Sequence, residues 1–171
     1  GGAGITNKRL LSYVEYGLQT NTLLRKSKAY TFDTGDAPPF STNTVVAAPV
    51  TTTSSPLASG VIGFQTAFLN KDGSWSLAYN SRFDTNAATA SNPSIAIRIS
   101  LLVVSGEGMK RLQSTGKISD LTSSMAVPNS EATNASGSPE AWWNGKINGD
   151  GIDPQFARFL HAFERLFFLP N

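Results

Sequence analysis

Residues 95–104 read Ile-Ala-Ile-Arg-Ile-Ser-Leu-Leu-Val-Val, and they decide the fold. Ile95, Ile97, Ile99, Leu101 and Val103 stand at the odd positions, with Ala96, Arg98 and Ser100 between them, which is the two-residue period of a β-strand. Leu102 and Val104 make the end of the run apolar on both faces, so the strand is expected at the centre of a sheet. Ser105 and Gly106 stop it. Upstream, Val61, Ile62, Phe64, Ala67, Phe68 and Leu69 lead through Lys71-Asp72-Gly73 to Trp75, Leu77 and Tyr79. Two apolar runs around an Asp-Gly turn predict a β-hairpin, with a sheet core over residues 61–104.

Further out, residues 107–112 predict one or two helical turns, and residues 113–139 form a polar loop region. Residues 154–169 carry Phe156, Phe159, Leu160, Phe163, Leu166, Phe167 and Phe168, read as a helix followed by a closing strand at 165–169. Near the N-terminus, Leu10, Leu11, Val14, Leu18 and Leu24 follow three- and four-residue steps and predict an amphipathic helix over 6–30. Thr6 would cap it, with Lys8 and Arg9 against the dipole in its first turn and Arg25, Lys26 and Lys28 favourably placed in its last. Asp36-Ala37-Pro38-Pro39 ends regular structure. Residues 41–59, with the apolar island Val45-Val46, read as a wandering loop with room for one short strand. The expected fold class is therefore α+β: an N-terminal amphipathic helix packed on an antiparallel β-sheet, with long polar loops, in one domain across residues 1–171.

Composition narrows the function. The chain has 40% hydrophobic but only 15% charged residues, so a folded core is expected beneath a neutral surface rich in Ser, Thr and Asn. Fourteen basic against 12 acidic residues leave a net charge of +2, too small for a nucleic-acid footprint. No cysteine is present, which excludes disulfides and thiolate chemistry. No apolar run reaches the length of a membrane span, and no signal peptide is visible. The chain starts Gly1-Gly2-Ala3-Gly4 without Met, as expected of a truncated or processed piece.

Catalytic signatures are scarce. His161 is the single histidine and lies in an apolar segment, where a structural role is expected, and no Gly-x-Ser-x-Gly elbow accompanies any serine. One histidine without cysteine cannot assemble the usual zinc ligand sets. Asp33, Asp36, Asp72, Asp84, Glu107, Glu131, Glu140 and Glu164 could supply a carboxylate pair, but no spacing selects one. Residues 144–153 resemble a calcium loop in part. Lys146 stands where its first ligand belongs and Ala157 where a bidentate Glu is required, so a Gly-rich turn is expected. No catalytic residue, cofactor or metal is assigned. The adjacent Trp142 and Trp143 are the candidate partner or ligand contacts, against the commoner arrangement of one ring in the core and one at its rim.

The succession of residues 60–68, then Asp72-Gly73-Ser74-Trp75, then Ala96-Ile97-Arg98-Ile99-Ser100-Leu101-Leu102-Val103 resembles type IV pilin-like proteins, most of all W-type minor pilins and J pseudopilins of type II secretion. The ending from Phe163 to Asn171 is similar to the W-type ending, with Pro170 in place of the usual Arg. The cleavage site and apolar N-terminal helix of such proteins are absent, and the helix expected over 6–30 would be the soluble half of that helix. The resemblance implies a non-enzymatic structural or assembly subunit of a filament tip. It would be held to the inner membrane through a missing N-terminal helix, with a periplasmic domain contacting other pilin-like subunits, or displayed at the cell surface once assembled. It implies no nucleic acid and no small-molecule substrate. The alternative reading is a secreted β-rich binding module or adhesin recognising sugar or protein, favoured by the Thr/Ser/Asn richness and the tryptophan pair.

Overall fold

The computed structural model describes residues 9–32, 51–83, 86–135, 137–149 and 151–170, and for 9–13, 28–32 and 51–53 the backbone alone. Thr6, Lys8, Asp33, Asp36, Pro38, Pro39, Val45, Val46 and Asp84 lie outside these residues. The chain divides into two compact units, Gly1–Ser59 and Gly60–Asn171.

In the first unit, β1 (Arg9–Gln19), β2 (Thr22–Phe32) and β3 (Thr51–Ser59) form an antiparallel sheet in the order β1-β2-β3. The helix expected over 6–30 is thus corrected to a hairpin. Thr20 and Asn21 both take positive φ, 46° and 58°, the two-residue geometry whose twist matches paired strands. The helical spacing of the leucines competed with a second period, Val14, Tyr16 and Leu18, in a segment poor in helix formers. Asn21, a residue tolerant of the left-handed region, decides for the turn. The basic residues expected in a last helical turn lie on β2, where Lys26 faces Glu15 and Arg25 faces Tyr16 across the ladder. Pro56 in β3 stands opposite Leu24, where the register shifts, as suits a residue without an N–H on an edge strand.

The second unit opens with the predicted hairpin. Strand β4 (Val61–Asn70) turns back through Lys71-Asp72-Gly73, with Gly73 at φ 86°. Strand β5 (Trp75–Ser76) is shorter than the arm expected to Tyr79. Ser76 Oγ donates to the Ala78 carbonyl (2.6 Å), and Asn80 exchanges bonds with Ser94, drawing the chain off the ladder. The Asp72 carboxylate accepts from the Ser74 hydroxyl (2.6 Å) and the Ser74 N–H (2.9 Å), which hold it below the usual carboxylate range. A lowered folded value stabilises the turn above the ordinary carboxylate pKa, a contribution lost as pH falls through the lower folded value. Asp72→Asn is therefore expected to flatten the acid limb of the stability–pH profile, checked by urea unfolding of both proteins from neutral to strongly acidic pH.

After α1 (Ala87–Ser91), β6 (Ser94–Val104) takes the interior place in a sheet ordered β5-β4-β6-β7, with β7 (Leu160–Phe168) at one edge. β7 begins earlier than the closing strand expected at 165–169. The segment expected as polar loop, 113–139, is also corrected. The helices are α2 (Gly106–Thr115), α3 (Ile118–Ser124), α4 (Asn129–Ala132), α5 (Pro139–Asn148) and α6 (Pro154–Ala157). Sparse apolar anchors suffice there, because Leu112, Leu121, Met125 and Ala132 are all buried. Ser105 and Ser138 cap α2 and α5 by accepting from the N–H groups of Gly108 and Ala141. The excursion starts and ends at one point: Val104 pairs with Leu160, and the Ser105 N–H donates to the Phe159 carbonyl (2.9 Å).

The core lies between these helices and one face of the sheet. Ile62, Leu102 and Val104 meet Leu112, Leu121, Met125, Trp143, Phe156 and Phe159. Trp143 closes on Gly63, where a Cβ would stand 2.8 Å from its ring, so only glycine lets the ring reach the strand. On the same face Arg98 is 5% exposed. Its Nη2 donates to the Ala132 carbonyl (2.5 Å) and its Nη1 to that of Gly137 (3.1 Å), its guanidinium lies 4.1 Å from the Trp75 ring centre, and its Nε is 3.9 Å from Glu164. Glu164 also accepts from the Ser100 hydroxyl (2.8 Å). Burial pushes the guanidinium below its ordinary pKa, and Glu164 opposes that shift.

Candidate functional site

The alternation that predicts β6 also creates the site. Its even residues, Ser94, Ala96, Arg98, Ser100, Leu102 and Val104, are buried, Leu102 and Val104 in the core with the helices and Arg98 against the carbonyls of Ala132 and Gly137. Its odd residues, all Ile, Leu or Val, are only half-buried, and none belongs to the core cluster. The more apolar side of the strand thus lies outside the core that the described helices form. Cross-strand register extends that face in both directions. Phe64, Leu101 and Phe163 form one row, Thr66, Ile99 and Arg165 the next, and Phe68, Ile97 and Phe167 a third.

Phe163 is 55% exposed and Phe167 43%. Tyr79 continues the third row, its ring edge-on to Phe68 at 5.6 Å. A groove of ≈ 360 Å³ runs among Ile99, Leu101, Phe163 and Phe167. Arg165 brings a charge into this apolar field, its guanidinium 5.3 Å from the Phe167 ring centre. At the far end of β7, His161 is exposed beside Phe163, at 6.5 Å between rings, and is not enclosed in the core.

The tryptophan pair divides between core and rim. Trp143 is 1% exposed and its Nε1 donates to the Met125 carbonyl (2.9 Å), so its ring is closed to any partner of the folded chain. Trp142 is half-buried, with the Lys146 amine 5.3 Å from its ring centre. In the Gly-rich segment, residues 144–148 belong to α5, Asp150 lies outside the described residues, and Asp153 caps α6 by accepting from the Gln155 N–H (3.0 Å). Of the carboxylates considered as catalytic pairs, Glu107 pairs with Arg111 and Glu164 with Arg98. Among the described residues, no three His, Asp or Glu gather as a metal site, and no helix is long and apolar enough to cross a membrane.

Sequence reasoning missed the open face, although its signal was present. Small and polar even positions beside wholly aliphatic odd ones meant that the covered side need not be the greasier one. Compared with protein-family models, curated proteins and solved structures, the chain matches none.

Proposed function

We propose that the chain is a non-enzymatic structural and assembly subunit of a type IV pilus or type II secretion-like filament, acting through protein–protein contacts, and that an amphipathic helix covers its open sheet face in that assembly. One observation carries the reading: the aliphatic side of β6, widened by Phe64, Phe68, Phe163 and Phe167, faces away from the helical layer. A sheet ordinarily buries such a face beneath a second layer. Three strands at about 4.8 Å spacing match the roughly 10–12 Å diameter of one helix. The residues that resemble pilin-like proteins all fall in or beside β4, β5, β6 and β7. The covering helix is supplied from outside residues 9–32, which form a hairpin. The partners are other pilin-like subunits, and the setting is an inner-membrane anchor with a periplasmic domain, or the cell surface in an assembled filament.

The test is co-expression of the tagged chain with the other pilin-like subunits of its own genome. The wild type is expected to retain at least one of them, and Ile99→Glu with Phe163→Glu, which puts two carboxylates on the open face, to lose it. Thermal melting of the double variant checks that it folds. Retention of no subunit by the wild type, or full retention by the double variant, would sink the proposal.

A further inference from the structure

The free edge of β7 is a second surface, independent of what covers the open face. The Leu169 N–H donates to the Ile95 carbonyl (2.8 Å) and the Ser105 N–H to that of Phe159 (2.9 Å). Odd residues of β7 therefore form the hydrogen-bonded pairs with β6, and the main-chain groups of Ala162, Glu164, Leu166 and Phe168 point to the outer edge. No described strand pairs there. Edge strands are normally shortened, or guarded by Lys or Pro. The opposite edge, β5, follows that rule with two residues. β7 runs for nine residues without Lys or Pro, and its one inward carboxylate, Glu164, is engaged by Arg98 and Ser100.

We propose that β7 pairs antiparallel with β7 of a second copy of this chain, across a two-fold axis at Leu166. Three observations fix the occupant and the register. First, the edge is apolar on both sides, with Phe163 and Phe167 on one face and Leu166 (40% exposed) and Phe168 (75% exposed) on the other. An added strand must be apolar on both sides too, as β7 itself is. Second, the helical layer packs on Leu160 and Ala162 at the start of β7, while Leu166 and Phe168 on the same face are exposed, so an axis in the C-terminal half keeps the second copy clear of that layer. Third, placing the axis at Leu166 sets Glu164 opposite Phe168 and Arg165 opposite Phe167 of the second copy. No like charges then oppose one another, and each guanidinium meets an aromatic ring. An axis at Glu164 or Arg165 would set like charges face to face.

The chain is expected to dimerise by light scattering, with a dissociation constant in the micromolar range typical of modest interfaces. Among the described residues the Leu166 N–H has no hydrogen-bond partner, since it points away from the ladder to β6, so Leu166→Pro spares that ladder while blocking the edge. It is expected to weaken dimerisation about a hundredfold. Should that variant not fold, hydrogen exchange on the wild type decides. The amides of Glu164, Leu166 and Phe168 are expected to become protected as concentration rises, while those of Phe163, Arg165 and Phe167 are protected throughout. A monomer at every concentration, a dimer untouched by Leu166→Pro, or even-residue amides indifferent to concentration would each overturn the proposal.

Discussion

Arg98→Ala is expected to cost about 3–5 kcal/mol, read as a lower urea midpoint at unchanged m-value. The truncation leaves the partly buried Glu164 carboxylate without its counter-ion, with the Ser100 hydroxyl as its remaining partner among the described residues. It also frees two carbonyls, Ala132 at the end of α4 and Gly137 before α5, and bares the Trp75 ring that the guanidinium covers. Loss of buried hydrogen-bond partners is what makes such deletions expensive. Arg98→Lys keeps the charge without the fork, and a loss of about 1–3 kcal/mol is expected. Removing both charges, as Arg98→Met with Glu164→Gln, should recover much of the stability, because a neutral pair carries no stranded ion. A cost below about 1 kcal/mol for Arg98→Ala would show that the helical segment does not hang on this residue.

Trp143→Ala should be at least as damaging, at about 4 kcal/mol or more. Excising a fully buried tryptophan costs about 3–5 kcal/mol through lost transfer energy and the cavity left behind. The Met125 carbonyl also loses its indole donor. Gly63 offers no side chain to collapse into the space, so relaxation is limited on the strand side. Trp143→Phe keeps most of the volume and is expected to lie between. At the adjacent position, Trp142→Ala removes a half-buried ring and should cost about 1–2 kcal/mol. Equal costs at the two positions would contradict the division of the pair into core and rim.

The legible parts of this fold are those where local signals agree. In residues 61–104, period, turn chemistry and strand propensity all point one way, and the hairpin turn and interior strand form as expected, although the second arm pairs only as far as Ser76. Residues 9–32 carry two periods at once, and the turn at Thr20-Asn21, chosen by φ, decides between them. The helices between residues 106 and 157 were hard to read because most are one to three turns long and hold on by a few buried residues, so no periodic stripe develops. Arg98 stood out only within a motif. Its work depends on the carbonyls of Ala132 and Gly137, distant in sequence, that no local pattern could assign to it. The open face was hidden for a related reason, since the helices cover the side of β6 that looks less apolar.

Strand β6 ends and β7 begins side by side at Val104 and Leu160, and that junction bears on how such a protein can change over time. Everything between them is a detour whose two ends are already held together, so its length bears little on the sheet. Lengthening a closed excursion costs only slowly growing entropy, about 0.6 kcal/mol per doubling. Any replacement must satisfy two conditions: an apolar underside for Leu102 and Val104, and carbonyl groups for Arg98. Within them the detour can be traded for shorter, longer or differently decorated versions while the strands stay in register. Descendants of one ancestor could then share a sheet and differ in the helical layer carried upon it.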